Sequence, residues 1–454
     1  MNVQALAIFI GSLRVGVLFQ YRMPGAEVIT RFVADDAYAR GIDVPVLSAA
    51  YLAASPQDQA AFWADVRSVP LNGRHSPQNG WLLPAFFQNL LPEGVFRDHV
   101  ARIRGCDPQD HFEMLAACGG DLPGNVYARP VELSRDALAH YVTQDQDALE
   151  MTVTADPMEQ GVSLSGVQPK LGVIKQGERY VGRTRDHDTH IIAKLPVVGQ
   201  PLLPELEALS LALARAAGVQ VCQAYLEPLA SLAVEHGYDL GEADARTQFL
   251  AVVRYDRQPG YRIHCEDFAQ ILGAMPEEKY RAASYLDVAA VMLAFESMGE
   301  SAVHELLRRM VVNEMLGNPD MHLKNLGVVY GDGETPQLAP AYDIVGYAAY
   351  YPCQGHALHI MPPDMLPRAR AGQPGGAKPG LSPAILRAFC ASLGIPEKPA
   401  ARAVADCVRA ACDRWPGLIG DSPLTPRQRQ NLLDHFLAHP MVQSARRAAA
   451  RPRN

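Results

Sequence analysis

The sequence predicts an α+β protein of two lobes, a β-rich lobe followed by a mainly α-helical one, with an extra subdomain ahead of them. Three observations lead there. Between residues 161 and 262, short β-type segments surround a single amphipathic helix. After about 265 the pattern turns helical, and ahead of both lobes a hairpin signal and two helical stretches are set off by a polar, acidic stretch over 133–160. At roughly 150 residues per domain, the 454 residues accommodate this arrangement. The divisions are 1–132 (N-terminal subdomain), 133–160 (linker), 161–262 (β-rich lobe), 263–440 (helical lobe) and 441–454 (basic tail).

Val3–Ile10 and Val15–Tyr21, joined by Gly-Ser-Leu-Arg, read as an opening β-hairpin. Trp81–Leu91 and Phe96–Cys118 have helical patterning, with Asp107-Pro108 as a start signal and Gly119-Gly120 as the close. The strands of the β-rich lobe are Leu171–Ile174, Arg179–Gly182, His190–Leu195, Tyr225–Leu229 and Phe249–Tyr255, and its helix, Glu205–Ala217, is stopped by Gly218. In the second lobe Val303–Leu316 is the longest clear helix. Its stripe of Val303, Leu306, Leu307 and Met310 has the spacing of a core face. Ala371–Gly380 is a Pro/Gly loop. Arg446, Arg447, Arg451 and Arg453 lie in a C-terminal stretch without acids, which reads as a frayed, solvated end.

Composition narrows the function classes. A net charge of -8 argues against a protein that coats nucleic acid, and residues 1–169 set 11 Arg against 19 acids. The eight cysteines are scattered without a CxxC pair, the pattern of reduced thiols in a cytosolic chain. The start lacks a basic n-region and no apolar run approaches the ~18 residues of a membrane span, so a cytoplasmic protein with no membrane partner is expected. His187/His190 and His356/His359 have i,i+3 spacing but no accompanying Glu or Cys, and read as ordinary polar histidines. Cys407 and Cys412 on one helix read as core. One bias stands out: 34 Arg against only 7 Lys, namely Lys170, Lys175, Lys194, Lys279, Lys324, Lys378 and Lys398.

Three of those lysines sit in segments that suggest phosphate chemistry. Asn318-Pro-Asp-Met-His-Leu-Lys-Asn325 follows a helix and places Asp320 and Asn325 five residues apart in a loop. Phosphoryl transfer needs a carboxylate to accept the attacking hydroxyl's proton, and an amide oxygen near it to help hold a metal on the phosphates. Lys324 lies between the two, within reach of a γ-phosphoryl group. Leu338-Ala-Pro-Ala-Tyr-Asp343 looks like a strand ending in a second metal-binding carboxylate. His190-Ile-Ile-Ala-Lys194 puts a lysine in an apolar strand, where it either faces phosphates or is a costly buried charge. Glu207 on the next helix is a candidate ion-pair partner for it. Ser163-Leu-Ser-Gly-Val-Gln-Pro-Lys170 is a small-residue loop whose backbone N–H groups and Lys170 suit a phosphate cradle.

Taken in order, Ser163–Lys170, the strand at Lys194, Val252–Arg257, His264–Phe268, Asp320–Asn325 and Tyr342-Asp343 resemble HipA-family serine/threonine kinases, the toxin halves of bacterial toxin–antitoxin pairs. Phe86–Gly94 and Phe112–Gly124 resemble that family's N-terminal subdomain. The resemblance implies a two-lobed protein kinase-like fold with ATP and Mg2+ as cofactors. Asp320 would be the catalytic base, Asn325 and Asp343 the Mg2+ ligands, and Lys194 the contact to the ATP phosphates. Gly166, Val167, Gln168 and Lys170 would cover the nucleotide, with Val253 and Tyr255 near adenine. Ser163, or Ser165 as the alternative, would be autophosphorylated.

Val253 stands where the family pattern expects Glu, and Met321 where it expects Gly. A helix-turn-helix antitoxin of the HipB type is the implied partner, with DNA reached only through it. The implied substrate is a component of translation, an aminoacyl-tRNA synthetase being the recurring choice. Two other classes remain open on the residues alone: a small-molecule phosphotransferase, and a non-catalytic co-repressor bound to a DNA-binding antitoxin.

Overall fold

The computed structural model describes residues 2–450 apart from 23–27, 66, 135–137, 139–149, 152, 159–160, 165–167, 185–186, 354 and 368–377. The expected hairpin is present as β1 (Asn2–Ile10) and β2 (Leu13–Arg22), and it grows by β3 (Val28–Ala34). Gly11 takes φ +58 in the tight turn, a left-handed conformation that glycine adopts without steric cost. A small hairpin follows, β4 (Arg74–Ser76) with β5 (Gly80–Leu82), and then β6 (Val126–Pro130) and β7 (Glu150–Met151). The first sheet runs β3-β2-β1-β6, with β7 parallel to β1. Residues 150 and 151 of the segment read as a linker therefore belong to this sheet.

Alternation gives the sheet two buried faces. Leu6, Ile8, Leu18 and Phe32 pack on Phe86, Phe87, Phe112 and Leu115, while Val3, Ala5, Val17, Phe19 and Tyr21 pack with Leu138. The helix expected over Trp81–Leu91 is only Ala85–Asn89. Trp81 and Leu82 lie in β5, because Pro84 disfavours helix in the residue before it and supplies the N-cap position. The stretch Phe96–Cys118 is two helices, Gly94–Arg104 and His111–Cys118. The first ends at left-handed Gly105, and the second is capped by Asp110, whose side chain accepts from Glu113 N, so the start signal lies three residues later than Asp107.

The second sheet consists of β8 (Lys170–Gln176), β9 (Arg179–Val181), β10 (Ile191–Lys194), β11 (Ala224–Pro228) and β12 (Gln248–Val253), in the order β11-β12-β10-β8-β9. The helix Leu203–Ala216 buries Leu206, Leu209 and Leu213 in a core shared with Leu250 and Val252 and with the helical lobe. It thus sits between the sheet and the second lobe. A hairpin of β13 (Arg257–Gln258) and β14 (Tyr261–Arg262) leads into the second lobe. There β15 (His264–Asp267), β16 (Gly327–Tyr330) and β17 (Pro336–Leu338) form a third sheet.

The helix Gly299–Leu316 ends at left-handed Gly317, which turns the chain into the loop holding Asp320. Its expected stripe, Val303, Leu306, Leu307 and Met310, is fully buried. The longest helix is a different one, the 24-residue Glu397–Gly420, which contains Pro416 and whose alanine-rich pattern conceals its length. The segment read as a basic tail begins as the helix Pro440–Ala449, anchored by buried Val442; Arg451 and Arg453 lie outside the described residues. Asp343 does not end a strand. β17 stops at Leu338, Pro340 has no N–H to donate to a ladder, and Asp343 itself is left-handed at φ +57. The eight cysteines are free thiols. Among the described residues, no helix is long and apolar enough to cross a membrane.

Candidate active site

The registers of β8 and β10 set Lys170 directly opposite Lys194. Two ammonium groups on facing strand positions repel each other unless carboxylates join them. Lys194 Nζ donates to Glu207 Oε1 and to Asp343 Oδ1, both at 2.5 Å. Burial alone would lower the Lys194 pKa, but Asp343 and Glu207 outweigh it and keep the group above the ordinary lysine value. Burial would likewise raise Asp343, but Lys194 and Lys170 hold it below the usual carboxylate range. For Lys170 burial dominates and pushes the pKa down to about 8.

Lys170, Lys194 and Asp343 line a cleft of about 270 Å³, together with Asp320, Asn325, Gln168, Val253 and Tyr255. The catalytic-loop candidates are held from within the loop. Asn325 Nδ2 donates to the Asp320 carbonyl at 2.8 Å, and Asp320 N donates to Asn318 Oδ1 at 3.1 Å. The first bond fixes which end of the Asn325 amide is oxygen. Burial raises the pKa of Asp320, whose Oδ1 accepts a 2.6 Å hydrogen bond from the Tyr280 hydroxyl. A loop histidine such as His322 is expected to hold the loop by hydrogen bonds. Its backbone N–H does so, donating to the Asp320 carbonyl, but its ring packs edge-on against Tyr280 at 4.9 Å and Nδ1 has no partner among the described residues. Burial lowers its pKa to about 4.

Lys324 also lines the cleft, but its hydrogen bonds go elsewhere. Nζ donates to the backbone oxygen and Oδ1 of Asn89, at 2.9 and 3.1 Å, and lies 3.4 Å from both Glu93 and Asp267. Asn89 and Glu93 come from the N-terminal subdomain, so that subdomain reaches into the cleft. Lys279 closes the group at 3.0 Å from Glu93. Burial would raise the Glu93 carboxyl, yet Lys324 and Lys279 bring it down to about 2. Ser163 lines the same cleft, buried, with its hydroxyl donating to the Leu90 carbonyl. Ser165, Gly166 and Val167 lie outside the described residues. Val253 and Tyr255 stand with Ile192 and Tyr342 on an apolar wall, and Val253 N–H is bonded to the Gln223 carbonyl.

Behind that wall the segment Arg254–Arg257 is anchored to the N-terminal subdomain. Asp121, fully buried, accepts from Arg257 Nη2 at 2.7 Å, Arg254 Nη1 at 3.2 Å and the Thr189 hydroxyl at 2.7 Å. Asp256 accepts from Arg254, Arg257 and the Gly124 N–H. Burial would raise Asp121, but the Arg254 and Arg257 guanidinium groups bring it to about 2.

Asn89, Glu93, Asp121 and Asp267 fall inside segments that carry the family resemblance, but nothing in those segments marks them as site residues, and Lys279 and Tyr280 lie in no such segment. Lys279 carries the one usable signal, a rare lysine; expected at the surface, it lies in the cleft.

A lysine–glutamate pair between a five-stranded sheet and its helix, facing an Asp…Asn loop and a second Asp from the helical lobe, defines a two-lobed, kinase-like protein. Residues 162–415 match the HipA-like C-terminal domain and residues 6–129 the HipA N-terminal domain; the chain belongs to the HipA family. It is 36% identical over 272 residues to a Sinorhizobium fredii protein named "Putative kinase Y4dM", covering 59% of this chain and 63% of that one. A second protein of that organism, named in the same way as Y4mE, is 31% identical over 316 residues, 64% of this chain and 71% of the other. The chain thus spans a little under two thirds of the Y4dM kinase. Among solved structures, a Shewanella oneidensis MR-1 complex of HipA, HipB and operator DNA matches with a TM-score of 0.62 at 19% identity, covering 97% of both chains, a likeness of fold.

Proposed function

We propose that this HipA-family chain is an ATP- and Mg2+-dependent serine/threonine protein kinase. The observation that carries the reading is the bridge from Lys194 to Glu207 and Asp343 at the rim of a cleft that also holds Asp320 and Asn325. Asp343 and the oxygen end of the Asn325 amide would hold Mg2+, which supplies charge neutralisation on the phosphates when bound. The donor set suits it, because Mg2+ takes one or two protein oxygens and completes its shell with substrate phosphates and water. Among the described residues, no cluster of three or more His, Cys, Asp or Glu side chains forms a self-sufficient metal site.

Lys194 and Lys170 would orient the triphosphate, with Glu207 keeping the Lys194 ammonium in place and Val253 and Tyr255 flanking the base. Asp320 accepts the proton of the incoming hydroxyl. Lys324, tied to Asn89, would reach a γ-phosphoryl group only while sharing its protons with the N-terminal subdomain. Autophosphorylation at Ser163 would require that serine to leave its bond to Leu90; Gln168, whose Nε2 has no partner among the described residues, lines the same cleft.

The partner we propose is a helix-turn-helix antitoxin of the HipB type, with DNA contacted through it. The protein substrate belongs to the translation apparatus, an aminoacyl-tRNA synthetase being the first choice, and the setting is the cytoplasm. The Shewanella complex, which joins HipA with HipB and operator DNA, supports the partner. The test is incubation with γ-labelled ATP and Mg2+. Label should appear on protein and vanish in Asp320→Asn and Asp343→Asn; labelling unchanged by these substitutions would overturn the assignment. Growth arrest on expression, relieved by Asp320→Gln, would tie the activity to toxicity.

A further inference from the structure

The Tyr280 hydroxyl donates to Asp320 Oδ1 at 2.6 Å, which is the contact an acceptor hydroxyl must make before its proton can be taken. We propose that Tyr280 is itself a phosphate acceptor, taking the γ-phosphoryl group of ATP bound in the cleft of its own chain. This rests on the kinase reading above and adds a modification site to it.

Three features bring the phenol to that place. Tyr280 lies in the turn between the short 3-10 helix Pro276–Glu278 and the helix Tyr285–Ala294, so no regular element fixes its backbone against small adjustments. Its ring leans edge-on against His322 of the catalytic loop, which aims the hydroxyl at Asp320. The side chain lines the same cleft as Lys170, Lys194, Asn325 and Asp343, yet the residue is 44% exposed, placing it at the open mouth where an acceptor enters. Holding a nucleophile at hydrogen-bond distance from its base turns a collision into an internal step, an advantage of many orders of magnitude in effective concentration.

In the step itself the Tyr280 phenol oxygen forms a bond to the γ-phosphorus. The bond from that phosphorus to the β,γ-bridging oxygen breaks, its electron pair leaves on ADP, and the phenol proton passes to Asp320. The product is a phosphotyrosine of roughly -1.5 to -2 charge beside the Asp320 carboxylate. The Lys279 ammonium, 5.7 Å from the Tyr280 ring centre, is the nearby cation that softens this repulsion. Once modified, Tyr280 occupies the base and bars other hydroxyls from it.

The full chain incubated with ATP and Mg2+ and followed by peptide mass spectrometry and ADP release tests this. Phosphate should accumulate on Tyr280 with a rate constant unchanged by about tenfold dilution. It should be absent from position 280 in Asp320→Asn, and Tyr280→Phe should lose that label while retaining label on any loop serine. ADP release or serine labelling with Tyr280 left unmodified would overturn the inference and leave the kinase reading standing, as would labelling that slows in proportion to dilution. No ADP and no label anywhere would overturn both.

Discussion

Lys194 Nζ donates to Asp343 Oδ1 across 149 residues of sequence, and this contact closes the β-rich lobe onto the segment that follows the catalytic loop. The same ammonium serves Glu207, which is fully buried. Replacing Lys194 by Met would leave two carboxylates facing each other without their cation. Breaking a buried pair from one side costs about 3–5 kcal/mol, so Lys194→Met should unfold at markedly lower urea concentration. Adding Glu207→Gln should recover part of that loss. Equal stability of Lys194→Met and the unsubstituted chain would show that the bridge contributes nothing.

Nucleotide affinity should depend on pH through Lys170. Burial brings its pKa down to about 8, so in the free protein the ammonium is lost as pH rises past that value. A bound triphosphate favours the charged form and raises the pKa, so MgATP binds best below about pH 8 and more weakly above it. Titration calorimetry on either side of pH 8 measures this. Lys170→Met should weaken binding and flatten the profile; an unaltered profile would remove Lys170 from the phosphate site.

A second pH effect belongs to Glu266, which accepts from the Ser48 hydroxyl and the Ala49 N–H of the N-terminal subdomain and from the Tyr330 hydroxyl. Burial outweighs these bonds and raises its pKa from 4.5 to about 7. The folded state therefore holds this proton more tightly than the unfolded chain. The resulting stabilisation is complete below about pH 4.5 and is lost as pH rises through about 7. Glu266→Gln keeps an acceptor and does not titrate, so its stability relative to the parent should improve between those two values. Melting temperatures of both proteins across that range give the comparison, and a constant difference would count against a raised Glu266.

Asp121→Asn tests the anchor of the Arg254–Arg257 segment. Arg254 and Arg257 would keep only Asp256 as a charged partner, and Thr189 would lose its carboxylate. A loss of about 3–5 kcal/mol is expected, from the same one-sided breaking of a buried ionic group. Hydrogen exchange should quicken around residues 252–257 first, which local measurement by mass spectrometry would register.

Much of the site is legible in the sequence because its parts are local. Lys194 sits in a strand with an apolar pattern, Glu207 follows on the next helix, and Asp320 and Asn325 share one loop with a fixed spacing. Such features leave a trace within a window of a few residues. The partners of Lys324 do not: Asn89 is 235 residues away, and nothing around Phe86–Gly94 signals which lysine it will meet. Asp121 is equally silent, a single acid in a glycine-rich turn whose arginines lie more than 130 residues downstream. The left-handed backbone at Asp343 is invisible because no glycine marks it, and the strand expected there fails on Pro340. Tyr280 has no pattern at all; it becomes notable only once the fold brings it to Asp320.

The two family domains in this chain are not interchangeable parts. A chimera that joined residues 162–415 to the N-terminal domain of a relative would have to bring its own equivalents of Asn89, Glu93 and Asp121. Otherwise Lys324 would keep only Asp267, and Arg254 and Arg257 only Asp256, as charged partners in the interior. Recombination within the family is therefore constrained at three positions, two of them lining the cleft and one behind it, and an acid lost from one half must be answered by a base lost from the other.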